Sequence, residues 1–76
     1  MALSKEQVTK IVGSNIRSVR IAKKLSIEKV AFDAGIEYTQ LSRIELGKIN
    51  TSIYNIYKIS RSLDIKIPEI FIELNK

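Results

Sequence analysis

Apolar residues recur along most of this chain at intervals of three and four positions, the spacing that places them on one face of an α-helix. In the first such run the apolar positions are Val8, Ile11, Val12, Ile16 and Val19. Ser4 stands just ahead of them with Gln7 three residues later, which is a capping-box pattern. The run predicts one amphipathic helix over residues 5–23, in which Gly13 marks either a close helix contact or a weak point.

A second helix is predicted over residues 27–34. Ser26 is its expected cap, and Glu28 lies in the first turn, where the helix dipole favours a negative charge. The inward positions of this helix are Ile27, Val30, Ala31 and Ala34. Gly35 follows, and it can adopt the left-handed conformation that ends a helix.

A third helix is predicted over residues 37–46, with Leu41 and Ile44 facing inward and Gly47 ending it. The polar residues that share one face of this helix are Tyr38, Thr39, Ser42 and Arg43. Two short helices joined by a turn of about three or four residues that contains glycine are typical of a helix-turn-helix. Residues 26–46 are predicted to form that motif, although the same spacing also occurs by chance in helical proteins.

The chain then passes through a polar turn into two more predicted helices. Residues 50–52 are candidate caps for a fourth helix over residues 53–63, which Asp64 ends. The apolar positions of the fourth helix are Ile53, Ile56, Ile59 and Leu63. Pro68 is placed to open a short last helix, because proline is favoured at the first helical position.

Apolar residues cover almost every side of this last helix. They are Ile70, Phe71, Ile72 and Leu74. A two-turn helix buries only one side of itself in its own small domain, so the remaining apolar surface indicates a partner. We therefore predict that the tail, residues 65–76, forms a homodimer interface. The alternative is that Ile70 and Phe71 only close the core.

Composition limits the chemistry that is available to this chain. It has 76 residues, no cysteine and no histidine, which excludes disulfides, thiolate or imidazole metal ligands and histidine-based acid–base catalysis. No pair of carboxylates and no Ser–Lys spacing indicates another catalytic site. The sequence predicts one small domain without enzymatic activity, metal or cofactor.

The charge is basic and unevenly distributed. The formal net charge is +5, and residues 1–48 carry nine Lys and Arg against five Asp and Glu. This excess near the predicted helix-turn-helix favours a polyanionic partner. No apolar run approaches the roughly 20 residues that span a bilayer, and the N-terminus lacks a signal pattern. We expect a cytoplasmic protein without a membrane partner.

Two segments make the chain resemble the Cro/CI-type, or Xre, family of repressors. LSIEKVAFDAG is similar to the family pattern L-S-x-x-x-L-A-x-x-A-G, and LSRIELGK is similar to I-S-x-I-E-x-G. The similarity extends over about residues 13–71 and includes the I-x-x-I-x-x-x-L spacing of the fourth helix. The resemblance implies an all-α, five-helix lambda-repressor-like DNA-binding domain over residues 1–76.

The resemblance also implies that the start of the third helix enters the major groove of DNA. The matching base-facing positions are Tyr38, Thr39, Ser42 and Arg43. Arg43 can contact guanine O6 and N7 or hold a phosphate, and spacing does not decide between these roles. Gln40 lies on the flank of this helix and is expected to contact a base, the DNA backbone or only solvent. Tyr38 departs from the shorter polar residues common in the family, which leaves the preferred DNA sequence open.

Phosphate contacts are implied on both sides of the third helix. The matching residues are Ser26, Lys48, Asn50, Thr51 and Tyr54. The free backbone amides at the start of the second helix add to the contact at Ser26. Arg17 and Lys24 are weaker candidates, since a single charged residue is more often solvated surface.

Arg20 lies beside the apolar stripe of the first helix. An arginine there either extends to solvent or is buried against a carboxylate. The resemblance implies the second arrangement, because repressors of this kind pair an arginine late in the first helix with the glutamate of the I-E-x-G segment, here Glu45.

The residues and the resemblance together predict a sequence-specific regulator of transcription that binds double-stranded DNA as a homodimer on a pseudo-palindromic operator. Its size is similar to that of restriction-modification controller proteins and small phage-type repressors, and direct contact with RNA polymerase is one expected route of regulation. One alternative is an antitoxin whose apolar tail also binds a toxin. Another is a helical interaction module with no role at DNA.

Overall fold

A computed structural model describes residues 2–74, which form five α-helices and no β-strand. The helices are α1 (Lys5–Ala22), α2 (Ile27–Ala34), α3 (Tyr38–Glu45), α4 (Ile53–Leu63) and α5 (Ile67–Ile70). The prediction of an all-α, five-helix domain is therefore confirmed. The last two residues of the predicted tail lie outside the described part of the chain.

Short polar side chains set the starts of three helices. At α1 the Ser4 hydroxyl accepts from the Gln7 amide at 3.1 Å, and the Gln7 side chain accepts from the Ser4 amide at 2.7 Å. Ser26 caps α2 in the same way by accepting from the Lys29 amide at 3.0 Å. Of the three candidate caps before α4, Ser52 is the one used. These contacts satisfy amides that have no partner within the helix.

The predicted bounds of α2 and α4 agree with the observed ones, and those of α1 and α3 differ by one residue at one or both ends. Gly35 ends α2 with φ of 71°, the left-handed conformation expected there. Glu37 is the residue before α3 rather than its first residue, and its extended backbone turns the chain into the helix. The last helix begins at Ile67, one residue ahead of Pro68.

The core is built from the inward faces of all five helices. Its fully buried side chains include Ile16 from α1, Val30 from α2, Leu41 from α3, and Ile59 and Leu63 from α4. Helix α2 packs mainly on α4 and on α3, while α1 packs on α3 and on α5. Helices α1 and α2 therefore cover one side of α3, and the opposite side of α3 is exposed to solvent.

The short α5 closes one end of this core, which corrects part of the predicted interface. Ile70 is 0% exposed and belongs to the core, so its side chain is not available to a second protein. Leu74 is half-buried and packs against the same core. Phe71 and Ile72 remain exposed. Ile70 is buried because the one-turn α5 directs its side chain into the core. For Ile70, the alternative that it only closes the core is therefore the one observed.

Candidate nucleic-acid interface

Helix α3 presents a polar face to solvent. Tyr38, Thr39 and Arg43 are exposed, and Ser42 is half-buried beside them. The inward side of the same helix is buried through Leu41, Ile44 and Glu45. Gln40 is also half-buried, which fits its expected position on the flank. The four predicted base-facing residues therefore share one accessible surface on a helix whose other side is anchored in the core.

A buried ion pair joins α3 to α1. Arg20 Nε lies 2.7 Å from Glu45 Oε2, and Arg20 Nη2 lies 3.0 Å from Glu45 Oε1. The guanidinium also donates through Nη1 to the Leu25 carbonyl at 2.8 Å, in the link between α1 and α2. Two parallel hydrogen bonds to a carboxylate define the orientation of both side chains. The pair implied for Arg20 is thus formed, and the Arg20 side chain connects α1 to α3 and to the link that follows α1.

Gly13 brings the backbones of α1 and α3 into direct contact. A Cβ atom at this position would fall on the carbonyl oxygen of Ile44 and lie 2.8 Å from the carbonyl oxygen of Glu45. Of the two roles considered for Gly13, the close helix contact is the one observed. Thr9 strengthens the same contact by donating from Oγ1 to the Gly47 carbonyl at 3.2 Å.

Glu37 is a residue of this surface that the sequence interpretation missed. It is exposed at the start of α3, and its side chain does not cap the helix. A carboxylate in this position can accept from the amino group of cytosine in the major groove. The sequence did offer a signal, because Glu37 stands one residue ahead of the predicted base-facing Tyr38. The sequence interpretation placed Glu37 inside the third helix and gave it no role.

Ser26 lies at the start of α2, on one flank of the candidate surface. Its Oγ accepts from the Lys29 amide, so the hydroxyl hydrogen remains available to a phosphate oxygen. The first backbone N–H groups of α2 have no acceptor within the helix. They point out of its N-terminal end, where they can donate to an anion such as a phosphate. Glu28 in this turn is exposed.

The segment between α3 and α4 forms the other flank. Lys48, Asn50 and Tyr54 are exposed, and Thr51 is half-buried. The Thr51 hydroxyl accepts from Asn55 Nδ2 at 2.9 Å, which leaves its own hydrogen free to donate. The amino group of Lys58 lies 4.9 Å from the centre of the Tyr54 ring and adds positive charge beside it.

An apolar groove of about 380 Å³ adjoins this second flank. Its lining residues are Val8, Thr9, Val12, Ile44, Ile49, Asn50, Thr51, Ile53, Ile56, Ile67 and Phe71. Ile53, on its rim, is 87% exposed, although the helical spacing had assigned it to the core face of α4. The structure corrects that assignment, because Ile53 is the first residue of α4 and lines the open groove instead of the core.

Ile72 is exposed but is not among the residues that line the groove. Ile67 was not singled out from the sequence, although it lies one residue before the noted Pro68 and lines the groove with Phe71. Within residues 2–74, no helix is long and apolar enough to cross a membrane. The same part of the chain holds no group of three acidic, histidine or cysteine side chains suited to a metal ion.

Comparison with known proteins links this geometry to one family. A family model described as helix-turn-helix, HTH_3, matches residues 16–70. The chain is 39% identical over 57 residues to Control protein C.BamHI of Bacillus amyloliquefaciens, covering 74% of this chain and 70% of that protein. It is 37% identical over 65 residues to Control protein C.MunI of Mycoplasma sp, covering 84% and 88% of the two chains.

A solved structure gives the same result at the level of the fold. The restriction-modification controller protein C.AhdI from Aeromonas hydrophila superposes with a TM-score of 0.81 and 36% sequence identity. The match covers 83% of this chain and 96% of that one.

Proposed function

This chain belongs to the helix-turn-helix family HTH_3 and is a DNA-binding regulator of transcription; from that premise we propose that it binds a pseudo-palindromic operator as a homodimer. The observation that carries the proposal is the polar face of α3 beside an apolar groove. The first surface is suited to base edges, and the second is suited to another protein chain.

We assign base recognition to the outer face of α3. Tyr38, Thr39, Ser42 and Arg43 face the major groove, and Gln40 contacts a base or the backbone from the flank. Arg43 carries the largest single share, since a bidentate contact to guanine contributes about 1–3 kcal/mol of discrimination. The accessibility of these side chains and the buried attachment of α3 support the assignment.

We assign phosphate binding to the two flanks. On one side, the Ser26 hydroxyl and the first amides of α2 hold a phosphate. On the other side the phosphate ligands are Lys48, Asn50, Thr51 and Tyr54. Contacts on both sides of α3 set its depth and angle in the groove, which is how phosphate contacts give register without reading sequence.

The partner that we propose for the apolar groove is a second copy of this chain. Ile53, Ile67 and Phe71 line the groove and are exposed, so apolar surface stays in contact with water in an isolated protomer. An eight-residue α3 reads only a few base pairs, and two copies related by a two-fold axis double the sequence that is read. The half-sites lie about one helical turn apart.

The names of the relatives support a role at a restriction-modification locus. C.AhdI, with which this chain shares its fold and 36% sequence identity, is described as a restriction-modification controller protein, and C.BamHI and C.MunI are described as control proteins. We propose that the chain regulates such genes by occupying their promoter and by touching RNA polymerase. Phe32, which is 84% exposed on α2 and does not line the groove, is one apolar residue available for a polymerase contact.

An antitoxin role is the second candidate, and it makes a different use of the same groove. In that case the exposed apolar residues of the tail, such as Phe71, bind a toxin as well as a second copy of the chain. Purification with the neighbouring gene products distinguishes the two, because a homodimer elutes alone while an antitoxin retains its toxin.

The experiment that tests the function is a gel-shift titration of promoter duplexes at two salt concentrations. Affinity is expected to fall steeply, since each neutralised phosphate contributes a slope of about −0.9 in the logarithmic salt plot of duplex DNA. At both salt concentrations one duplex should bind more tightly than bulk DNA. Equal affinity for every duplex would favour a helical interaction module without a regulatory role at DNA.

A further inference from the structure

The side chain of Asn15 on α1 joins the end of the chain to the rest of the fold. Its Nδ2 donates to the carbonyl oxygen of Ile70 at 2.8 Å and to the carbonyl oxygen of Ile72 at 2.8 Å. An amide group has two N–H hydrogens, so both are used. These two carbonyls belong to Ile70 and Ile72, the residues on either side of Phe71, which is one of the groove residues.

Helix α5 needs such a contact, because it has only four residues. A single turn is unstable alone in water, and the last carbonyls of any helix lack partners within it. Beyond α5 the backbone continues through Phe71, whose amide donates to the Pro68 carbonyl at 3.1 Å. The Ile70 side chain fixes α5 from the core side. Asn15 fixes the backbone that follows, where no helix remains to do so.

Asn15 is half-buried and lies 55 and 57 positions from the carbonyls it holds. The contact with Ile70 is partly buried, while the contact with Ile72 is exposed. Hydrogen bonds that are shielded from water are harder to replace by solvent than exposed ones. Loss of the Asn15 amide removes both hydrogen bonds, while the buried side chain of Ile70 keeps its contacts in the core.

We infer that Asn15 is a positioning residue for dimerisation: it holds the main-chain carbonyls of Ile70 and Ile72, the two residues that flank Phe71, so that the ring stays at the groove that receives the second copy. The inference rests on the proposed homodimer. Val8, Thr9 and Val12 of α1 line the groove directly, whereas Asn15 of the same helix acts on it only through the backbone around Phe71. Preorganisation of this kind strengthens association because less chain has to be ordered on binding.

The test is a double-mutant cycle on the dimer dissociation constant, measured by analytical ultracentrifugation of the full chain. Asn15→Ala is expected to raise this constant about tenfold, since two modest hydrogen bonds are lost and tenfold corresponds to about 1.4 kcal/mol. Phe71→Ala is expected to raise it about 30-fold through loss of a large apolar contact. Because Asn15 acts through Phe71, the double variant should resemble Phe71→Ala alone.

Ser14→Ala is the matched control, because Ser14 is an exposed polar residue next to Asn15 on the same helix. It should leave the dimer constant unchanged. Asn15→Ser, which keeps one hydrogen-bond donor, should give a dimer dissociation constant between those of the parent and Asn15→Ala. This variant replaces Asn15→Ala in the test if Asn15→Ala does not fold. A thermal melt of each variant separates loss of protomer stability from loss of association.

The outcomes are distinguishable. An unchanged dimer constant for Asn15→Ala beside a weakened Phe71→Ala overturns the role of Asn15 and leaves the proposed interface standing. Multiplicative effects, about 300-fold in the double variant, overturn it too, because the two residues then act independently. A parent chain that stays monomeric, or a Phe71→Ala dimer as tight as the parent dimer, overturns the proposed interface itself.

Discussion

The corner between α1 and α3 and the end formed by α4 and α5 differ in what they bury and what they expose. At the corner the polar groups Arg20 and Glu45 are buried against each other, and the exposed face of α3 is also polar through Thr39 and Arg43. At the other end the buried groups are apolar apart from Ser60, and apolar side chains such as Ile53 and Phe71 are exposed as well. A polar exposed face suits DNA, whereas an apolar exposed face suits another protein.

The two regions also differ in how they are held. Gly13 and the buried ion pair attach α3 through backbone contact and two charge-assisted hydrogen bonds. The C-terminal end depends on a one-turn helix, the buried side chain of Ile70 and the amide of Asn15. Changes at the corner should therefore act on folding, and changes at the other end should act on association.

The largest effect is expected from Arg20→Ala at the corner. It leaves Glu45, which is 6% exposed, as an uncompensated buried carboxylate, and such changes cost about 3–5 kcal/mol. That is a large part of the roughly 5–15 kcal/mol that stabilises a typical domain. A thermal melt should show a strongly lowered midpoint or no folded baseline. Arg17→Ala, an exposed arginine on the same helix, should melt like the parent, and an equally stable Arg20→Ala would contradict the role of the ion pair.

The next largest effect is expected from Phe71→Asp at the apolar end. A carboxylate in the groove opposes burial against a second copy, so the dimer constant should rise by about 100-fold or more, which corresponds to about 2.7 kcal/mol. Sedimentation at micromolar concentration measures this. Phe32→Asp is the control, since Phe32 is exposed on α2 and does not line the groove. A dimer that persists in Phe71→Asp but dissociates in Phe32→Asp would place the interface on α2.

A smaller effect, confined to one position of the operator, is expected from Arg43→Ala on α3. It should cost about 1–3 kcal/mol of binding and relax the preference for one base pair in each half-site. Competition gel shifts with single-base variants of the operator measure both quantities. Arg61→Ala, an exposed arginine on α4, should leave the base preference intact. Uniform weakening without a change in preference would assign Arg43 to a phosphate.

The smallest effect is expected from Lys48→Ala on the flank. Removal of one phosphate contact should weaken binding to all sequences about equally and reduce the slope of the salt dependence by about one. Fluorescence anisotropy over a salt series measures the slope. Lys66→Ala, before α5, has the same change of charge away from α3 and should keep the parent slope. An equal change in both variants would indicate a general effect of net charge.

Local signals explain why much of the corner could be predicted from the sequence. Ser26 and Gly35 determine the bounds of α2 by short-range hydrogen bonding and by backbone conformation, both of which depend on neighbouring residues. The ion pair between Arg20 and Glu45 joins residues 25 positions apart, and it was reached through the family resemblance rather than through spacing.

The apolar end was harder to predict for a physical reason. Helical spacing gives the angle of a side chain around its own helix, but it does not say where the neighbouring helix ends. Ile53 was therefore assigned to the core and Ile70 to the surface, and the structure reverses both. Asn15 offered no local signal, because its two acceptors are main-chain carbonyls at the far end of the chain.

Selection of binding sites from random DNA duplexes, carried out with the parent chain and with Arg43→Ala, tests the central claim most directly. The claim is that α3 reads sequence and that the groove pairs two copies of it. The parent should enrich a pseudo-palindrome with half-sites about one helical turn apart, and Arg43→Ala should lose preference at one symmetric pair of positions. Enrichment of no sequence, or of a single unrepeated half-site by both proteins, would contradict the account.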